Sequence, residues 1–405
     1  MKGVRLCSML ILVLFGVWIL PVGCGGGGDN APSQTIVASG SNVQPIVVNG
    51  GPTAAISSAN GGWIYYNAAF TSVTVCVPGT SNCQTIDGVL VDTGSFGLRL
   101  LSSALTLPLP AQTAGSYYIG ECVQFADGSY LWGPVKTADV KLAGELASSV
   151  PVHVLDHSFY TIPRDCSSGG GLEEDDLLSL GANGILGIGP FRYDCTACVP
   201  GGGSPPPGAY YECSASSGCQ PAFVSLSQQV QNPVALFSTD NNGVIIELPA
   251  VSGPTGSLNG SMVFGIGTQS NNGLGSATVL TLNQYASIDT TFNSTVMPYS
   301  FIDSGSNGYF FPDANIPLCS DGLFYCPAAT LNLTATNEGS NGKSSNVSFG
   351  VGNADNMPND AVLNTLAGYT YGYFDWGIPF FYGRNVYTAI DGANTPAGSG
   401  PYWAY

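Results

Sequence analysis

The chain has 405 residues and a formal net charge of −17, yet charged residues make up only 9% of it, against roughly 25% in an average domain. With nine Lys and Arg in all and no basic cluster, binding to nucleic acid or other polyphosphates is excluded. Apolar residues at 44%, with 55 Gly and 27 Pro, exclude a disordered chain and disfavour long surface helices; they suit an all-β protein of short strands joined by turns.

In chain order, the first segment reads as an export signal. Lys2 and Arg5 precede MLILVLFGVWIL (9–20), an apolar run too short for a comfortable membrane span. Pro-Val-Gly-Cys follows, and Cys24 is succeeded by Gly25 to Gly28. The pattern resembles a bacterial lipoprotein signal, with Pro21 where such signals usually carry Leu. That resemblance implies a signal peptide at 1–23, lipidation of Cys24 and an exported, membrane-tethered protein. Gly25 after the cysteine resembles outer-membrane sorting in Gram-negative bacteria. Residues 24–60, rich in Gly, Ser, Asn and Ala, read as a flexible tether with a strand near its end at Ile46–Val48.

From Trp63 the pattern changes to short apolar runs such as SVTVCV, GVLVD, LRLL, VQF and VPVHVL, punctuated by Gly, Asn, Asp and Ser, which read as strands. Few segments suit a helix, and AFVSLSQQVQN (222–232) suits one best. The acidic run Glu173–Asp176 lacks calcium-loop spacing and reads as a solvated loop or a first helical turn. His153 and His157 on PVHVLDH would share a strand face, too far apart for one metal, and read as structural. Apart from Cys7 and Cys24, ten cysteines remain, an even number that suits disulfides in an exported chain. Cys76/Cys83 and Cys319/Cys326 are spaced to close short loops, whereas the pairing of Cys122, Cys166, Cys195, Cys198, Cys213 and Cys219 stays open. A zinc ribbon from the last four is disfavoured, because export oxidises such cysteines. No metal and no cofactor are expected.

Residues 89–101, VLVDTGSFGLRLL, drive a carboxylate into the end of a hydrophobic run; residues 299–311, YSFIDSGSNGYFF, repeat the arrangement, with Asp303 in place of Asp92. An unpaired buried charge is costly, so such an Asp serves either a turn or a reaction. Each motif has an apolar-Gly partner downstream, GANGILGIG (181–189) and FDWGIPFFYGR (374–384). Two halves with one internal order imply two related lobes. If the turns face one another, Asp92 and Asp303 come within hydrogen-bonding distance and share one proton, which leaves one base and one acid about a single water.

These motifs resemble the pepsin family of bilobal aspartic proteases, related to the retropepsins, over roughly Trp63 to the C-terminus. The two Asp motifs are similar to that family's active-site turns. GILGIG (184–189) and DWGIPFFYGRNVYTAID (375–391) resemble its bracing strands, and ECVQFADGSYLWGPVKTADVKLAG (121–144) resembles its flap hairpin. The resemblance implies a bilobal all-β fold with a central cleft, an N-terminal lobe with flap at 61–270 and a C-terminal lobe at 271–405. It implies Asp92 and Asp303 as the catalytic pair. Thr93 and Ser304 would lock the turns, Gly94 and Gly305 would permit their close approach, and Ser95 and Ser306 would bond the outer carboxylate oxygens. Asp127, Gly128 and Ser129 would form the flap tip.

Three positions depart from the family pattern. Phe125 replaces the flap tyrosine, Arg99 replaces the tryptophan that tyrosine bonds, and Ile378 replaces an aspartate after the last apolar-Gly element. Read without the family, Phe125 is a packed core aromatic and Arg99 a surface arginine with a buried stem. The expected protein is a monomeric, membrane-tethered aspartic endopeptidase acting on a peptide or protein substrate. The alternative is a catalytically impaired member that holds a peptide or carbohydrate in the cleft.

Overall fold

The structure, a computed structural model, describes residues 40–52, 65–125, 127–201, 203–358 and 362–405. The expected signal peptide, Cys24 and most of the expected tether lie outside these residues.

The expectation of an all-β protein holds. Six strands close into a barrel-like ring. Ala68–Cys76 pairs with Cys83–Asp92, and the sheet continues through Gly184–Ile188, Phe96–Leu101, Glu145–Leu155 and Tyr130–Leu142, which returns to pair with Ala68–Cys76. Closure leaves these strands without a free edge. Within the ring, Val73, Val75, Val89, Val91, Leu98 and Val152 are buried. The run Val89–Asp92 is buried without alternation because the strand is covered on both faces.

The sheet extends from this ring through Val43–Asn49, Leu258–Phe264, Gly243–Leu248, Arg384–Ala389 and Tyr402–Ala404. It thus draws strands from both sides of residue 270, the boundary expected from the sequence. Val43–Asn49 is also more than the end of a tether. Ile46 and Val48 are buried, and the strand sits between Ala68–Cys76 and Leu258–Phe264.

A second sheet of seven strands is centred on Thr295–Ile302. Its core is aromatic: Phe374 stacks on Trp376 with ring centroids 3.9 Å apart and on Phe311 at 4.9 Å. Such a core suits a half that is poor in long aliphatic runs.

The helix expected at 222–232 does not form. Val224 and Val230 are anchored instead in an apolar cluster with Cys198 and Tyr210. The Val224 N–H donates to the Cys198 carbonyl, and the Asn232 N–H to that of Arg192. Tertiary bonds thus outweigh a modest helix propensity. Among the described residues the one α-helix is Leu177–Leu180, capped by Asp176 of the acidic run through a capping box. That run is not wholly solvated, since Glu174 is buried.

The ten described cysteines form five disulfides: Cys76–Cys83, Cys122–Cys166, Cys195–Cys198, Cys213–Cys219 and Cys319–Cys326. The two short-loop pairs are as the spacing suggested, and the cysteines of the disfavoured zinc ribbon are all oxidised.

Candidate active site

The two motifs are built alike. Cys83–Asp92 pairs in parallel with Gly184–Ile188, which also pairs antiparallel with Phe96–Leu101. In the second half Thr295–Ile302 pairs in parallel with Asp375–Trp376, which pairs antiparallel with Tyr309–Phe310. The glycines of the bracing strands are steric necessities. A Cβ on Gly187 would lie 2.6 Å from the Phe96 nitrogen, and one on Gly377 would strike the Gly308 carbonyl oxygen.

The turns meet. The Thr93 hydroxyl donates to the Ile302 carbonyl at 3.2 Å and accepts from the Ser304 N–H at 2.9 Å. The Ser304 hydroxyl donates to the Val91 carbonyl at 2.8 Å and accepts from the Thr93 N–H at 3.1 Å. Each hydroxyl thus satisfies one donor and one acceptor of the opposite turn. Gly94 leaves room for the other carboxyl, since a Cβ there would lie 2.6 Å from the Asp303 Cγ.

The structure therefore brings Asp92 and Asp303 into hydrogen-bond contact with each other, both fully buried. Asp92 Oδ1 accepts from the Gly94 N–H at 2.7 Å, and Oδ2 accepts from the Ser95 hydroxyl. Asp303 Oδ1 accepts from the Gly305 N–H at 2.7 Å, and Oδ2 from the Ser306 hydroxyl at 3.0 Å.

Burial pushes both carboxyls above their ordinary range. For Asp92 the push is opposed by the hydrogen bonds from Asp303, Ser95 and Gly94 and by the charge of Arg99. For Asp303 it is reinforced by the charges of Asp92 and Asp375, which hold it well above that range. Two carboxyls in contact cannot both ionise, so the pair keeps one proton, and these surroundings favour it on Asp303.

The expected flap segment forms a hairpin. Gln124 pairs with Tyr130, and the Asp127 carboxylate accepts from the Ser129 N–H at 2.9 Å and its hydroxyl at 2.7 Å. The tip rests on a glycine-rich loop, with the Gly171 N–H donating to the Gly128 carbonyl at 3.0 Å. The charge of Asp127 is felt at Tyr373 in the other half of the chain.

Phe125 is buried among Phe70, Leu90, Leu131 and Leu155, as a core aromatic. Arg99 is not a surface residue. Its guanidinium donates to Glu121 at 2.9 Å and reaches Asp194 at 3.5 Å, and Tyr210 donates to Asp194 at 2.8 Å. Burial works against the Arg99 charge, but Glu121 and Asp194 outweigh it. His153 joins the same cluster 3.3 Å from Glu121 and is held neutral by burial and by Arg99, while His157 is exposed and pairs with Glu173 at 2.6 Å. Ile378 is a core residue whose N–H donates to the Ser306 carbonyl at 2.7 Å.

Three residues, Asp375, Glu121 and Asp194, escaped the sequence reading. Asp375 is fully buried, and its charge acts on Asp303. A signal was available: the first bracing strand reads Ile185-Leu186-Gly187 and the second Asp375-Trp376-Gly377. A carboxylate between Phe374 and Trp376 is as anomalous as the one after Val91. Glu121 and Asp194 were missed because nothing in their spacing links them to Arg99.

A family model described as a protein of unknown function (DUF3443) matches residues 38–405, and the chain belongs to that family. No curated protein matches the chain.

Proposed function

We propose that this protein is an aspartic endopeptidase of pepsin-like, bilobal architecture, in which Asp92 and Asp303 hydrolyse a peptide bond in a substrate bound beneath the 125–129 hairpin. The observation that carries this reading is the contact between two carboxyls presented by facing, reciprocally bonded turns. Asp92, whose anion the Arg99 charge supports, is the base that takes a proton from the attacking water. Asp303, which keeps the shared proton, protonates the carbonyl oxygen of the scissile bond. As the C–N bond of the tetrahedral intermediate breaks, the proton taken by Asp92 passes to the leaving amine and Asp303 takes back a proton from one of the intermediate's two hydroxyls, which restores the starting state of the pair. The buried setting keeps the two carboxyls at different protonation states across the acid range.

The export signal at 1–23, lipidation at Cys24 and action outside the cytoplasm belong to the same proposal. Five disulfides support it, because cytoplasmic chains rarely keep them. The protein would work as a monomer.

A second reading is a binding protein that has lost turnover. Phe125 packed in the core and Arg99 held in a charge cluster favour it, since both members of the family's flap tyrosine–tryptophan bond are missing. Digestion of a denatured protein near pH 4, with and without a statine-type transition-state mimic, separates the two. Cleavage blocked by the mimic supports the protease. Absence of turnover at every pH, with retained peptide or carbohydrate binding, supports the second reading.

A further inference from the structure

The tip of the 125–129 hairpin is fastened by a third segment. The Gly171 N–H donates to the Gly128 carbonyl at 3.0 Å, the Tyr130 N–H to the Leu172 carbonyl at 3.0 Å and the Glu174 N–H to the Tyr130 carbonyl at 2.9 Å. A Cβ on Gly171 would strike the Ser129 nitrogen, so the two backbones are in close contact. Tyr130 and Glu173 pair in parallel and share one face, where Glu173 meets His157. Glu174, Ser129 and Leu131 therefore share the other face, and all three are buried.

Glu174 is 1% exposed, and its Oε2 has no hydrogen-bond partner among the described residues. The Ser129 hydroxyl is near enough to act on this carboxyl. That hydroxyl has one proton, directed to Asp127 Oδ1 at 2.7 Å, and the same oxygen accepts from the Ser129 N–H at 2.9 Å. Toward Glu174 the Ser129 oxygen therefore offers lone pairs alone. A neutral Glu174 fits this arrangement by donating its own proton to Ser129. An ionised Glu174 sets a buried carboxylate against lone pairs, with the Asp127 carboxylate behind them.

We propose that Glu174 is a pH latch for the hairpin: as a neutral acid it fastens the tip through Ser129 and Asp127, and on ionising it releases the tip. Its effect on turnover, through access to the Asp92–Asp303 pair, rests on the proposed protease reading, although the latch itself does not.

The groups facing Glu174 are Ser129 and Asp127 on the hairpin and Tyr65 on the segment that leads into Ala68–Cys76. The Tyr65 hydroxyl is directed elsewhere, donating to the Leu180 carbonyl at 3.0 Å. On the segment of Glu174 itself, Glu173 pairs with His157 on the opposite face, Asp175 acts on that pair, and Asp176 caps Leu177–Leu180. Among the described residues no cation acts on Glu174. Burial, reinforced by the charge of Asp127, holds its carboxyl well above the ordinary range. The tip is thus fastened in acid, where Asp92 and Asp303 share their proton, and freed as pH rises through the raised Glu174 value.

Amide hydrogen exchange at Gly171 and Tyr130, corrected for the intrinsic rate at each pH, tests the latch. In the wild type, protection of both amides is expected to fall roughly tenfold between pH 5 and pH 8, the scale of one buried group left unpaired. Glu174→Gln keeps a donor toward Ser129 and cannot ionise, so it should retain the pH 5 protection at both values. Ser129→Ala removes the link to Asp127 and serves if the Gln protein does not fold; its protection should already be low at pH 5. Wild-type protection that does not change with pH overturns the proposal. So does a Glu174→Gln protein whose protection falls with pH as the wild type's does, since a purely structural role would lower protection by the same factor throughout. Absence of wild-type turnover, with the protection change present, overturns the protease reading alone.

Discussion

Thr93 and Ser304 exchange hydrogen bonds across 211 residues of sequence, each hydroxyl accepting from the backbone N–H of the other. All four groups are buried, so removing one hydroxyl strands partners that water cannot reach. Thr93→Val, close to isosteric, should cost about 1–3 kcal/mol in urea unfolding. The Thr93→Val/Ser304→Ala double variant should cost less than the sum of the singles, because they break one network. Additive losses would mean that the two turns are held by other contacts.

Removing either member of the carboxyl pair separates stability from chemistry. Asp92→Asn should reduce turnover near pH 4 by roughly 10²–10⁴-fold, the range for loss of a general base. The same change removes a buried charge, so the urea midpoint at pH 7 should not fall. Retained proteolysis in this variant would place the reaction elsewhere on the protein.

The buried carboxyls dictate how stability depends on pH. Burial raises Asp92, Glu121, Glu174, Asp194, Asp303 and Asp375 above their ordinary values. A carboxyl raised in the folded state binds more protons there than when unfolded, so its contribution is complete below the unfolded value and is lost as pH rises through the folded one. His153, held below its ordinary value, works in the opposite direction as pH falls below 6.5, but it is one group against six. Thermal unfolding should therefore show a higher Tm near pH 4–5 than near pH 8, the reverse of a protein stabilised by salt-bridged carboxylates. A Tm that climbs steadily toward pH 8 would contradict the burial of these groups.

Arg99 neutralises part of a buried acidic cluster and also supports the Asp92 anion. Arg99→Met leaves Glu121 and Asp194 without their cation, and at neutral pH this should cost about 3–5 kcal/mol, the range for breaking a buried ion pair. The loss should shrink in acid, where the two carboxyls take up protons. If the variant turns over, its acid limb should move to higher pH, since Asp92 ionises less readily without the guanidinium. Chemical denaturation at two pH values and a pH–rate profile check both effects.

Much of the site was legible because the chemistry imposes local rules. An Asp at the end of an apolar run, followed by Gly at the second position, is unusual once and informative twice. The internal repeat at 92 and 303 also anticipated the bracing strands through Gly187 and Gly377, whose places no side chain can take. What was not legible depends on partners far apart in sequence. Arg99 looks like a surface residue until Glu121 arrives from a strand and Asp194 from a loop. The segment 222–232 has a helical composition, but its valines are captured by an apolar cluster that spacing alone does not reveal. The Cys122–Cys166 disulfide spans 44 residues and follows from the fold, not from spacing.

Val43–Asn49 carries a practical consequence for anyone shortening the chain. It is hydrogen-bonded on one flank to Ala68–Cys76 and on the other to Leu258–Phe264. A version begun after Asn49 would have a slot one strand wide through the middle of its largest sheet, with two raw backbone margins facing each other. Such a slot invites any extended peptide, including the same segment from a neighbouring molecule, so clumping on purification is the expected fate of that truncation.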